Sequence, residues 1–336
     1  MRRAAWLLVA TCLTATSCGD RSEVVLLTRK GRFGSLRDLV LFPSADGLDA
    51  NALFVDRFEA TRADWNDFAA TPAGEAVGAG TISVGGDDSL PVAGIDLRQA
   101  RAFAHWRFLR LPRRDEWLRA AVADGRSRYP WGSREDPLRA NTGELGLGAT
   151  TPVGTFESGR RGGGDQPYDL VGNVSEWTES VASSWRTNAL EPTSAPQQGR
   201  RAALRSPALS VWTMPGGVLP SAWTVMTVGD HVPRMVVGSD FLSPMDRMVQ
   251  NAFANDRQAR TGLRACSTAR ELLERLLATP QSATDADLEQ LRRFVRRGRH
   301  QDALVAAWRS LPEPIPGGVI TQCLRVALAE PSAKPR

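Results

Sequence analysis

A chain of 336 residues, 42% hydrophobic and 24% charged, can bury at least one full-sized core, which argues against disorder as its default state. Its formal charge of +5 comes from arginines spread along the whole length, with no basic block that reads as a nucleic-acid arm, so no nucleic-acid partner is expected. Of four cysteines, Cys12 falls in the apolar N-terminal run; Cys18, Cys266 and Cys323 are too few for a disulfide framework and wrongly spaced for a zinc site, and the three histidines, His105, His231 and His300, lie far apart.

The first residues point to a compartment. Arg2 and Arg3 precede an apolar run from Ala4 to Leu13, and the small residues Ala15, Thr16 and Ser17 precede Cys18. This is the pattern of a secretory signal over 1–17, and the run is shorter than the ~20 residues a membrane-spanning helix needs. The Ala-Thr-Ser-Cys ending resembles a lipoprotein processing site, which implies that Cys18 receives a lipid and becomes the new N-terminus. The third residue before the cysteine is Ala15 rather than the usual Leu, and ordinary cleavage nearby, leaving Cys18 as a thiol, is the alternative. The expected location is the cell envelope: exported, lipid-anchored, facing the periplasm or the cell surface, with the membrane contacted through the N-terminal lipid.

Residues 18–50 read as a linker with short strands, at Val24 to Leu27 and Leu39 to Phe42. Phe54 to Thr61 alternates apolar and polar residues like a half-buried strand, and Arg62 to Phe68 continues at helical spacing, with Thr61 as N-cap and Asp64 three positions on. A second helix is expected over Asp96 to Leu109, with Leu97, Ala100, Phe103, Ala104 and Phe108 on one face; Pro112 then precedes a fresh helix. From Tyr129-Pro130-Trp131-Gly132 to about Gly164 the chain is glycine-rich and reads as loop. Short strand candidates follow around Trp212 and Trp223. From Thr268 helical periodicity takes over, in Glu271 to Leu277, Asp285 to Arg297 and Gln301 to Ser310, with Thr284 as a cap and Gly298 as a separator. This extension, 268–336, is either a short stack packed against the main domain or a partner-binding helical hairpin.

Five segments match one family in order. Phe54 to Phe68 resembles its opening strand and helix. Leu90 to Trp117, with Trp106, Leu111-Pro112 and Glu116-Trp117, resembles its helix and "RLPTEAEWE" segment. Tyr129 to Gly132 matches "YPWG", Tyr168 to Glu179 matches "YDMAGNVWEWT", and Thr261 to Cys266 resembles the closing "GFRC" strand. The family is that of the formylglycine-generating enzymes, or sulfatase-modifying factors. The resemblance places its domain over 51–267 and implies an α+β, C-type-lectin-like fold, loop-rich, here with a C-terminal helical extension. In such a fold Trp106, Trp117, Trp131 and Trp177 are expected as core pins whose ring N–H groups reach carbonyls.

The resemblance also implies a structural calcium at Asp169, Gly172, Val174 and Glu176, two carboxylates and two carbonyls in a tight turn, with Asn173 shaping the turn. A hydrogen-bonded loop without an ion is the alternative. Asn141 matches the asparagine of a second family calcium site, but where the family has an Asp only Glu144 or Leu145 stands. In the family's enzymes two cysteines after a "GGSW" strand bind copper(I) and activate oxygen to oxidise a sulfatase cysteine. The equivalent stretch here, Val237 to Met248, holds no cysteine; Met245 and Met248 read as packing residues, so copper is not expected. The histidine-rich iron motif of a second enzymatic branch is likewise missing from the sequence. Cys266 is either a buried thiol or a partner for Cys323. The sequence thus points to a non-catalytic binding or scaffold protein with a protein partner. The rival is a metal-dependent oxidase of the same class, maturing sulfatases with diverged ligands.

Overall fold

The computed structural model describes residues 31–82, 85–122, 127–162, 165–181, 233–252, 257, 259–280 and 282–329. Cys18 with the signal-like start, the strand expected at Val24 to Leu27, the strand candidates around Trp212 and Trp223, and His231 lie outside the described residues. The elements run in the order α1 (Gly31–Gly34), β1 (Leu39–Phe42), β2 (Leu53–Asp56), α2 (Arg62–Ala69), α3 (Pro72–Ala76), α4 (Leu97–Trp106), α5 (Arg114–Val122), β3 (Ser175–Val181), β4 (Arg234–Val237), β5 (Val249–Ala252), β6 (Thr261–Gly262) and β7 (Cys266–Thr268). The C-terminal helices follow: α6 (Ala269–Ala278), α7 (Asp285–Val295), α8 (His300–Arg309) and α9 (Val319–Ala329).

Capping chemistry sets where the helices begin. Thr61 Oγ1 accepts from the Asp64 N–H (3.2 Å) while Asp64 Oδ2 accepts from the Thr61 N–H (3.4 Å), which opens α2 at the position the sequence marks. Asp96 with Gln99, Thr268 with Glu271, and Thr284 with Asp287 form the same reciprocal box at the starts of α4, α6 and α7. The helix α9 has no counterpart in the sequence reading. Its opening Val319-Ile320-Thr321 run is β-branched and a poor helix former, and the helix instead draws on burial of Ile320, Cys323, Leu324 and Ala327.

The strands form two small sheets joined by long irregular segments, the α+β, loop-rich arrangement expected. In the first, antiparallel β2 lies between β1 and β7, with Val55 opposite both Val40 and Cys266. In the second, ordered β5-β4-β3-β6, only the β3–β6 pair is parallel, with Glu176 opposite Gly262.

Successive side chains of β2 point to opposite faces, and both faces are covered. Phe54 meets Phe294 of α7 and His300 of α8, at ring-centroid distances of 5.3 and 5.0 Å. Leu53 and Val55 pack with Val40, Phe42, Cys266 and Ala120 of α5 on the other side. The strand expected to be half-buried is therefore buried on both faces. The C-terminal helices are a packed stack, because Leu272, Leu291, Phe294, Leu304 and Ile320 belong to one core with Trp65, Phe103 and Phe108. The first described residues join that core through Phe33 and Leu36, which are buried where α1 and the turn Ser35–Asp38 pack on α7.

Two of the four expected core tryptophans are fully buried. Trp177 Nε1 donates to the Ile95 carbonyl (2.9 Å), and Trp117 Nε1 donates to a carboxylate oxygen of Glu176 (2.7 Å) rather than to a carbonyl. Trp106 and Trp131 are only half-buried. Trp65, buried with its Nε1 donating to the Ala79 carbonyl (3.2 Å), fills the role on α2.

Candidate functional site

The chain turns tightly between Tyr168 and Glu176 through left-handed backbone at Asp169 (φ 52°), Gly172 (φ 82°) and Asn173 (φ 61°). A Cβ on Gly172 would lie 2.2 Å from the Asn141 carbonyl oxygen, so only glycine fits there. That carbonyl accepts from the Asn173 N–H (2.7 Å), and Asn141 Nδ2 donates to Asn173 Oδ1 (3.2 Å) and to the Ala149 carbonyl (2.9 Å). Asn173 Nδ2 donates onward to Glu59 Oε2 (2.6 Å), whose Oε1 accepts from the Val174 N–H (3.0 Å). Asn173 shapes the turn as expected, with Glu59 as its anchor.

The start of β3 points Glu176 inward, where Oε2 accepts from Trp117 Nε1 and Oε1 from Arg264 Nε (2.9 Å). Arg264, just past β6, also donates to the carbonyls of Asp56 (3.0 Å) and Tyr168 (2.8 Å). Asp169 Oδ2 accepts from the Gly154 N–H (2.6 Å). Glu59, Asp169, Glu176 and Arg264 are all buried, so three carboxylates share one guanidinium away from water. Burial, reinforced by the Glu176 charge, pushes the Asp169 carboxyl up to about 6. Burial and then the charges of Asp169 and Glu176 push Glu59 well above the ordinary carboxylate range. Glu176 is raised by burial, with Arg264 pulling the other way.

A buried excess of negative charge suits a hard cation. Asp169 and Glu176 keep lone pairs beyond those that Gly154, Trp117 and Arg264 engage, and these oxygens are the ones that would hold a calcium ion, with the carbonyls of Gly172 and Val174 as the further ligands the family resemblance implies. Among the described residues no group of three or more His, Cys, Asp or Glu side chains is arranged to hold a metal ion. An ion here would depend on main-chain carbonyls alongside its two acids.

Asn141, the residue matched to a second site, stands against this same turn, and its Oδ1 is buried with no hydrogen-bond partner. Glu144, the acid the sequence offers beside it, has both oxygens accepting from the Met245 N–H (2.9 and 3.1 Å). Glu59 and Arg264 are the site residues that sequence reasoning missed. Both are charged residues set among apolar neighbours inside the matched opening and closing segments, which was the available signal.

The stretch from Val237 to Met248 leaves β4 through left-handed Gly238 and Ser239 and folds around Asp240. The buried Asp240 carboxylate accepts from the Leu242 and Ser243 N–H groups (3.0 and 3.1 Å) and from Arg260 Nε (3.0 Å). Asp240, Phe241, Leu242, Gln250 and Arg260 line an open cavity of about 540 Å³. Leu242 is 52% exposed beside it. Met245 is fully buried with Tyr129, Ala140 and Val171, and Met248 packs against them; both act as packing residues. Cys266 and Cys323 are free, buried thiols in β7 and α9 and do not pair with each other. Burial pushes the Cys266 thiol far up, so it carries no thiolate at neutral pH. His300 is buried in the helical stack and His105 is exposed.

The sulfatase-modifying factor enzyme 1-like domain matches this chain over residues 21–267. The inactive C-alpha-formylglycine-generating enzyme 2 of Bos taurus is 38% identical over 102 residues, covering 27% of this chain and 33% of that protein. The formylglycine-generating enzyme of Mycobacterium tuberculosis is 38% identical over 101 residues, 26% of this chain and 32% of that protein. The match thus spans about a third of the length of these curated relatives. Among solved structures, Treponema denticola variable protein 1 superposes with a TM-score of 0.42 at 16% identity, covering 65% of this chain and 84% of that one.

Proposed function

This chain belongs to the sulfatase-modifying factor enzyme 1-like domain family, and on that footing we propose that it is a non-catalytic member: an exported protein anchored by a lipid on Cys18, whose loop face, stiffened by calcium at Asp169 and Glu176, binds a protein partner. Relatives named as inactive and as formylglycine-generating match over segments of similar length, so the reading rests on the residues of the loops.

The observation that carries it lies between Val237 and Met248. Copper(I) chemistry needs soft, anionic sulfur, and this stretch offers only thioethers, one of them sealed in the core. Support for a binding role comes from the adjoining cavity, where the Asp240–Arg260 ion pair and the exposed Leu242 combine charge with apolar surface on loops held by a rigid frame. Such a mixed lining suits a peptide segment of a partner protein. Copper(I) titration of the purified chain tests the reading. It predicts no tight binding; tight binding that disappears when Met245 and Met248 are changed to Leu would reverse it.

A further inference from the structure

A second cavity, of about 310 Å³, is lined by Trp131, Arg139, Glu157, Ser158, Arg160 and Arg161. Two short turns, Pro137–Arg139 and Glu157–Gly159, bring these side chains together. They meet backbone to backbone: a Cβ on Gly159 would lie 2.1 Å from the Arg139 carbonyl oxygen.

The cationic groups are held in place. Arg139 Nε donates to Asp136 Oδ2 (2.9 Å) and its Nη1 to the Ser158 carbonyl (2.9 Å). The Arg160 guanidinium lies over the Tyr168 ring, 4.5 Å from its centroid, and pairs with Glu157. Tyr168 is itself stacked on Phe58 (5.0 Å). The aromatic wall is equally fixed: Trp131 stacks on Tyr129, with centroids 5.2 Å apart and planes 7° apart, and its Nε1 donates to the Arg134 carbonyl (3.0 Å).

Two of its arginines keep donors with no partner among the described residues. Asp136 offsets Arg139 and Glu157 offsets Arg160, whereas Arg161 makes no hydrogen bond or ion pair with any described residue. Arg160 Nε is buried without a hydrogen-bond partner, an arrangement that is costly unless something accepts from it. A guanidinium uncompensated among the described residues, in a cavity with two further arginines, suits an acceptor that carries negative charge. Guanidinium forks match the paired oxygens of phosphate and carboxylate, and the cavity's size, at the lower end for ligand pockets, admits one ring beside such a group.

We propose that this pocket binds a small organic oxyanion, a phosphate ester or carboxylate carried on a ring that packs against Trp131, with Arg161 as the recognising cation. The pocket adjoins the turn at Asp169 through Tyr168 and shares no lining residue with the cavity at Asp240 among the described residues.

Isothermal titration of the full chain with phenyl phosphate and with benzoate, using phenol as the neutral control, tests this. Saturable binding of at least one anion and none of phenol is expected. Arg161→Gln should weaken that binding about tenfold or more, the effect of losing a charge-assisted hydrogen bond. Its melting temperature should stay unchanged, because Arg161 bonds no other described residue. Vesicles of phosphatidylglycerol and of phosphatidylcholine separate a free ligand from a lipid headgroup. Absence of saturable binding at millimolar anion, or binding indifferent to Arg161→Gln, would overturn the proposal. So would Arg161-dependent capture by phosphatidylglycerol vesicles without binding of either small anion.

Discussion

Arg264 and Glu176 form an ion pair sealed from solvent, with Nε and Nη2 of the arginine 2.9 and 2.8 Å from one carboxylate oxygen and side-chain exposures of 0% and 1%. The same guanidinium also faces the charges of Glu59 and Asp169. Removing one partner of a buried pair leaves the other uncompensated, at a cost of about 3–5 kcal/mol. Arg264→Gln, which strands three carboxylates, should therefore lower the unfolding free energy by about that amount in urea denaturation. A loss under ~1 kcal/mol, the scale of an exposed pair, would show that the cluster is wetter than its burial indicates.

Calcium at the turn would offset the same negative charge. An ion that binds only the folded chain stabilises it by about 4 kcal/mol at a thousandfold excess over its dissociation constant. Chelation should then lower the melting temperature by several degrees, and Glu176→Gln should abolish most of that response. Identical melting curves with calcium and with chelator would count against the site.

The helical stack meets the first sheet at His300, whose ring stands edge-on to Phe54. Burial, helped by the Arg297 charge, pushes this imidazole down from 6.5 to about 4. The unfolded chain therefore takes up the proton more readily. Its contribution to stability is complete above about pH 6.5 and is lost as pH falls through about 4, a change of about 3 kcal/mol. Unfolding free energies measured from pH 7 down to 4 should fall more steeply for the native chain than for His300→Phe. Parallel curves would mean that the imidazole is not held neutral.

Membrane attachment is tested at the other end of the chain. If the lipid on Cys18 is the anchor, Cys18→Ala should move the protein from the membrane fraction to the soluble fraction of the envelope. Unchanged sedimentation with membranes would refute the lipid anchor.

Local chemistry was legible in the sequence, and long-range pairing was not. Thr61 with Asp64 and Thr284 with its following acids announce helix starts within four residues, and the structure places caps there. The turn from Asp169 to Glu176 was recognisable as a unit because its glycine and acids are contiguous. Its anchor, Glu59, lies 114 residues from Asn173, and Arg264 lies 88 from Glu176, distances over which no periodicity connects charges. The two-sided burial of β2 was hidden for the same reason, because the helices that cover Phe54 come more than two hundred residues later. Helix α9 has no clear signal in the sequence because packing, and not propensity, holds its β-branched start.

The most direct test of the non-catalytic reading is to incubate the purified chain, preloaded with copper(I) and supplied with oxygen, with a sulfatase-type peptide bearing its target cysteine, and to follow the peptide by mass spectrometry. With only Met245 and Met248 as sulfur in the loop from Val237 to Met248, the peptide thiol should emerge unchanged. Conversion of that cysteine to formylglycine, dependent on this protein, would contradict the account.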